Sequence, residues 1–373
     1  MTLTPNDPVL LTPGPLTTSH ETKLSMMHDW GSRDATFIET NQRVRDCILT
    51  IANASSTHVC IPIQGSGTFA VEATIGTLLP RNGKALVLIN GAYGDRMAKI
   101  ISYMGRAYTS LKTPEDIAPT PKDVDLALTQ DSTITHVLVV HCETTSGILN
   151  PIEEISDVVS RHNRRLIIDA MSSFGGIPID ANSTVFDALM ASSNKCLEGL
   201  PGLGFAVIKK SAIEIAKGNA HSLSLDLYDQ WQNMEISKQW RFTPPTHIVV
   251  ALDTAIQQFE AEGGAVGRNV RYSNNANTLI DGMRELGFEP LLSNHLQAPI
   301  IVTFKIPGDP LFNFETFYNN LKDKGFIIYP GKLTVAPSFR MGCIGHLNTS
   351  EMRAAVSSVR DVMAEMGIST GAP

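Results

Sequence analysis

Residues 165–199 read RLIIDAMSSFGGIPIDANSTVFDALMASSNKCLEG, and the fold turns on how this stretch is parsed. It holds two short apolar runs, Leu166-Ile167-Ile168 and the run from Phe186 to Ala191. Each has strand length and is bounded by turn-forming residues. The first ends on Asp169; the second leads through Ser192-Ser193-Asn194 to Lys195. If both are strands of an open parallel sheet, their carboxyl ends lie where such sheets bind ligands. An acid and an amine would then meet at one site. The same residues have plainer uses, because an aspartate after a strand often caps a helix or forms a turn, and a lone lysine is usually solvated. The stretch alone leaves both readings open.

Upstream, the chain alternates short apolar runs with helical patterns, the signature of β/α units. Strands are expected at 59–63, 84–89 and 136–141, with a further one at 204–208. Helices are expected at 37–52, where Phe37, Val44, Ile48 and Ile51 recur at helical spacing, at 68–79, and from the 90s to 104. Pro121 suits the first turn of another helix, and Pro151 opens one whose Ile152, Ile155, Val158 and Val159 share a face. Residues 8–19 are rich in Pro and Gly and are expected to be irregular. After residue 210 come helical stretches at 245–262 and 268–286, then strands at 299–305, 326–329 and 338–341 and helices at 313–323 and 349–366. This predicts an α/β protein. A large part, 16–265, carries a mainly parallel central sheet; a smaller α+β part, 266–373, is joined by residues 1–15.

Composition narrows the function classes. Hydrophobic residues make up 43% and charged residues 18%, as in folded enzymes rather than disordered chains. A formal charge of −7 without a basic stripe argues against a nucleic-acid binder. No apolar run approaches the ~18 residues of a membrane span. Neither a secretory leader nor CxxC pairing is visible, and the five cysteines are scattered. Reduced thiols in a cytoplasmic protein are therefore expected, with no metal site.

The strand-to-helix loops carry the chemistry. Gln64-Gly65-Ser66-Gly67-Thr68 lets backbone approach a phosphate at a helix N-terminus, with Ser66 and Thr68 adding hydroxyls. A turn with a Ser/Thr cap would look the same. Tyr93 can cover a flat ring or fill a core. Thr144 and Thr145 can bind a phenolic oxygen or phosphate, or cap the next segment. Taken together, successive strand ends offer glycine, hydroxyl, aromatic ring, carboxylate and amine, a combination that core packing does not demand. It suits pyridoxal phosphate, which uses a lysine for its Schiff base and an acid beside its ring nitrogen. Arg340, in the apolar strand Ser338-Phe339-Arg340-Met341-Gly342, needs an anionic partner, either an internal acid or a ligand carboxylate or phosphonate. Lys332, in Tyr329-Pro330-Gly331-Lys332, is a weaker candidate that surface exposure also explains.

Read in order, several motifs resemble one family. They are Thr12-Pro13-Gly14-Pro15, Gln64-Gly65-Ser66-Gly67, Asn90-Gly91-Ala92-Tyr93-Gly94, His141-Cys142-Glu143-Thr144-Thr145-Ser146-Gly147, Asp169-Ala170-Met171-Ser172-Ser173-Phe174-Gly175-Gly176, Ser193-Asn194-Lys195-Cys196 and Phe339-Arg340-Met341-Gly342. Together they are similar to the class V aminotransferases of fold type I, over nearly the whole chain. The segments His221–Tyr228 and Trp240–His247 are similar to members that use 2-aminoethylphosphonate as donor and pyruvate as acceptor. Alanine– or serine–glyoxylate aminotransferases share the cofactor motifs but not these segments. An aminophosphonate ammonia-lyase is a rival of another class, and a non-catalytic binding protein a third.

The resemblance implies pyridoxal 5′-phosphate as cofactor, held covalently by Lys195, with Asp169 at its ring nitrogen and Tyr93 stacked on the ring. It implies Ser66, Gly67, Thr68 and Asn194 at the phosphate and Thr145 at the ring's oxygen. It also implies a homodimer in which Thr243 reaches the partner's site, and Arg340 as the anchor for both substrates' anionic ends. One departure is Arg33, after Asp29-Trp30-Gly31-Ser32, where the family often has tryptophan.

Overall fold

The computed structural model describes residues 7–332 and 336–373. Its central sheet has seven strands, in the order His58–Gln64, Leu203–Lys209, Ala188–Ser192, Arg165–Asp169, His136–Val140, Lys84–Ile89 and Ala107–Lys112. Only Leu203–Lys209 runs against the rest, pairing antiparallel with both neighbours. The sheet is therefore mainly parallel, as the β/α alternation predicts.

Alternate residues of each central strand face opposite cores. Leu86, Leu88, Val137, Val139, Leu166 and Ile168 pack against the helices Ala35–Ile51, Ile152–Arg161 and Thr246–Ala261. Ala85, Val87, Leu138, Val140 and Ile167 pack against Gly67–Leu78 and Ala92–Tyr103 on the other side. A strand buried on both faces reads as an unbroken apolar run, which is why these strands stood out. Helix starts follow local chemistry. Thr120 Oγ1 accepts the Asp123 N–H at 3.2 Å, with Pro121 in the first turn, where its missing N–H costs nothing.

The C-terminal part is built on a three-stranded antiparallel sheet, Ile301–Lys305, Ser338–Gly342 and Tyr329–Pro330, with Arg340 on its middle strand. Phe288, Phe304, Phe317 and Phe339 fill the core between this sheet and the helices Gly264–Glu285, Phe314–Asp323 and Thr349–Glu365.

The structure differs from expectation at several points. Residues 8–19 are not wholly irregular: Val9–Leu10 forms a short strand parallel to Phe326–Ile327. That pairing also divides the strand expected at 326–329, because Tyr329–Pro330 pairs instead with Ser338–Gly342. Ala107–Lys112 is an exposed sheet edge with few apolar residues, so no pattern betrayed it. The helix Leu227–Ser237 was also unforeseen. Residues 1–6, assigned from sequence to the C-terminal part, lie outside the described residues.

Candidate active site

Six of the seven strands run parallel, and the loops after four of them enclose a cavity of about 470 Å³. Its walls include Ser66, Gly67, Thr68, Tyr93, Asp169, Asn194 and Lys195, residues singled out from sequence. Arg96, Met171 and Ser192 also line it and were not foreseen.

Ser66 is the N-cap of the helix Gly67–Leu78, and its side chain makes no capping bond. The hydroxyl and the first helical N–H groups are thus left for a ligand. Glycine at 67 leaves room for Met171, whose side chain would have to move to admit a Cβ 2.3 Å from its Sδ. Ser192 Oγ is buried with no protein partner. A free cap, an orphaned hydroxyl and a helix N-terminus in one cavity form a cradle for a phosphate.

Lys195 is half-buried. Its Nζ donates to Pro13 O at 2.5 Å and Gly14 O at 3.3 Å. The Pro/Gly-rich lead is therefore folded onto the amine. Gly14 is required there, with φ +108° and a would-be Cβ only 2.6 Å from Lys195 Cδ. Burial pushes the Lys195 amine down to about 8 against the pull of Asp169, with Arg340 adding a smaller downward push. About a tenth of the amine is then unprotonated and nucleophilic at pH 7, far more than at its ordinary value.

Asp169 accepts the Met171 N–H at 2.9 Å through Oδ1. Burial pushes its carboxyl up to about 6, with Arg96 and Lys195 opposing. Tyr93 carries Arg96 at 4.7 Å from its ring centroid, and Arg96 Nη1 donates to Thr68 Oγ1 at 3.2 Å. One guanidinium thus touches both the covering ring and the cradle.

Glu143, unassigned from sequence, organises this corner. It is fully buried and accepts the N–H groups of Tyr93 at 3.1 Å, Gly94 at 3.2 Å and Thr145 at 3.1 Å. It also accepts the Thr145 hydroxyl at 2.6 Å. Thr145 Oγ1 in turn accepts the Ala92 N–H at 2.9 Å, so this hydroxyl is already committed, and Thr145 does not line the cavity. Thr144 Oγ1 is buried without a partner.

Arg340 has no acid partner among the described residues. Its Nε donates to Pro330 O at 3.1 Å and its Nη1 to Thr144 O at 2.8 Å. Two carbonyls hold the guanidinium without neutralising it, and Arg340 is not among the residues that line the cavity. Thr243 is exposed and stands outside the cavity of its own chain.

A charged cluster fixes the loop that carries Lys195. Glu198 N donates to Lys195 O at 2.8 Å, and Arg268 Nη1 donates to Cys196 O at 2.5 Å. The Glu198 carboxylate meets Arg271 at 2.7 Å and the Tyr272 hydroxyl at 2.6 Å. Burial alone would push this carboxyl up, but Arg268, His346 and Arg271 hold it down at about 2, below its ordinary 4.5. A depressed carboxyl stabilises the fold above its unfolded value and loses that contribution as pH falls toward the folded one. Glu198→Gln should therefore cost about 3 kcal/mol at neutral pH. It should also flatten the fall in urea midpoint between pH 4.5 and 2.

Among the described residues no cluster of His, Cys, Asp and Glu suits a metal ion, and no helix is long and apolar enough to cross a membrane.

The chain matches the family described as Aminotransferase class-V over residues 16–357. It is 55% identical over 363 residues to a 2-aminoethylphosphonate–pyruvate transaminase of Pseudomonas putida, covering 97% of this chain and 99% of the relative. A transaminase of the same description from Pseudomonas aeruginosa is 53% identical over 361 residues, covering 97% of each. Among solved structures, an alanine–glyoxylate aminotransferase from Nostoc sp. superposes with TM-score 0.90 at 20% identity, covering 97% of this chain and 98% of that one. A pyridoxamine–pyruvate aminotransferase from Mesorhizobium loti gives 0.88 at 23% identity, covering 98% and 94%. At such identities the structural likeness speaks for the fold alone.

Proposed function

Because the chain belongs to the class-V aminotransferase family, we infer that it moves the amino group of 2-aminoethylphosphonate to pyruvate. The products are phosphonoacetaldehyde and L-alanine, formed in two half-reactions. The observation that carries this reading is 53–55% identity, across 97% of the chain, to relatives described by that activity. A glyoxylate-using aminotransferase has only a 20% identical structural likeness behind it. An ammonia-lyase finds no counterpart among the relatives named above.

The cofactor is pyridoxal 5′-phosphate. When bound, it supplies a carbonyl that combines with amines and a ring that withdraws electrons from the amine-bearing carbon. The cradle described above fits its phosphate through Ser66, Gly67, Thr68 and Asn194. Tyr93 covers the ring, and the Thr144-Thr145 corner, behind the cavity wall, serves the side of the ring's oxygen. Asp169 holds a proton at the ring nitrogen. With the cofactor bound, Lys195 would be the group placed to move a proton at the substrate carbon. Arg340 grips the phosphonate in one half-reaction and the pyruvate carboxylate in the other.

Arg96 adds a cation to the cradle. It pairs with no acid among the described residues, and a dianionic phosphate gains most from such a charge. Arg96→Gln should weaken cofactor binding on the order of tenfold, read by equilibrium dialysis.

We assign residues 16–265 to a large cofactor-binding domain and 266–373, with 1–15, to a smaller one. A second copy completes each site through Thr243. The exposure of Leu223 and Phe242 near that residue supports such a contact. A cytoplasmic location accords with five unpaired cysteines. The test takes the half-reactions apart. The aminophosphonate alone should shift the bound cofactor's visible absorbance to that of its amine form, and pyruvate alone should restore it. Absence of the first shift contradicts the reading.

A further inference from the structure

Arg340 faces a problem of charge. A phosphonate carries up to about two negative charges near neutral pH, as a phosphate does, whereas a carboxylate carries one. A single guanidinium balances the second ligand but not the first.

A further cation stands at the same corner. Lys332 Nζ lies 4.8 Å from the centroid of Tyr93, the ring that borders the cavity. The backbone carrying it is laced to the strand of Arg340. Arg340 Nε donates to Pro330 O at 3.1 Å, and Gly331 N donates to Ser338 O at 2.9 Å. Tyr329 lies directly opposite Arg340 in the sheet, and the Arg340 guanidinium is 6.0 Å from the Tyr329 ring. Lys332 forms no ion pair with an acid among the described residues, and its side chain is exposed. An ammonium without an acid partner, set over a ring of the cavity wall on backbone that Arg340 holds, is not an ordinary solvated lysine.

We propose that Lys332 reads the second charge of the phosphonate, so that Lys332 and Arg340 together select a phosphonate donor over a carboxylate one. This rests on the reading of the preceding section. Arg340 serves both half-reactions, while Lys332 weights the donor half. A compact ammonium suits this role, since it gives charge without imposing a second planar fork.

The experiment uses the cofactor-loaded protein and two ligands lacking an amino group, ethylphosphonate and propionate, with binding read by calorimetry at a pH where ethylphosphonate has lost its second proton. Wild type should prefer ethylphosphonate. In Lys332→Met that preference should fall about tenfold or more, because one charge interaction is lost for the phosphonate alone. Lys332→Arg should keep most of it. A wild type without the preference, or a Lys332→Met protein with the preference unchanged, overturns the proposal. Wild type is first assayed with 2-aminoethylphosphonate itself. Failure there sinks the preceding reading, whereas turnover with an unaltered preference sinks only this one.

Discussion

Lys195→Ala gives a protein that still folds and binds pyridoxal phosphate, but no longer covalently, and whose kcat falls by about 10⁴-fold or more. The residue has two tasks, and both go together. On the proposed function its amine would hold the cofactor at rest and would then move the proton at the substrate carbon. No other residue lining the cavity replaces it, since none of them carries an amine. The fold tolerates the change because the amine bonds only to the carbonyls of Pro13 and Gly14. Removing a buried amine also removes its desolvation cost. Gel filtration after denaturation separates the outcomes. Wild type keeps its cofactor when the bond has been reduced chemically, and the variant loses it. A variant that retains the cofactor under that treatment, or turns over within tenfold of wild type, contradicts the assignment.

Asp169→Asn lowers kcat on the order of 10³-fold while leaving cofactor binding measurable. The amide has nearly the same shape and can still accept the Met171 N–H, so only the charge is lost. Burial leaves the free carboxyl at about 6. A protonated ring nitrogen beside it favours the anion, and the anion in turn favours the protonated ring. Without that partner the nitrogen sheds its proton, and the ring stabilises charge on the substrate carbon far less well. The visible spectrum, titrated with pH, reports the change independently of turnover. A spectrum and kcat like those of wild type would show that the carboxylate has no such role.

The sheet was legible because its central strands are buried on both faces, so Leu166–Ile168 and the residues before Lys195 stand out as apolar runs. Asp169 and Lys195 followed from where those runs end. What escaped was non-local. Ala107–Lys112 is an edge strand with little to bury, and the Val9–Leu10 pairing depends on residues more than three hundred positions away. Arg96, Glu143 and Arg268 carry charges that a sequence assigns to the surface, yet Glu143 and Arg268 are fully buried because partners satisfy them. Glu143 and the Pro13-Gly14 carbonyls lie inside motifs that were quoted, so a signal existed, but nothing local says which atom a motif serves. Thr145 illustrates the same limit. Its position was legible, while the commitment of its hydroxyl to Glu143 was not.

The central claim is that nitrogen passes from the aminophosphonate to pyruvate and nowhere else. Incubating the wild-type protein with ¹⁵N-labelled 2-aminoethylphosphonate and pyruvate, and following the label by NMR, tests it directly. The account predicts label in alanine, matched one for one by phosphonoacetaldehyde, and no sustained turnover without pyruvate. Label released as ammonium in the absence of pyruvate would contradict it.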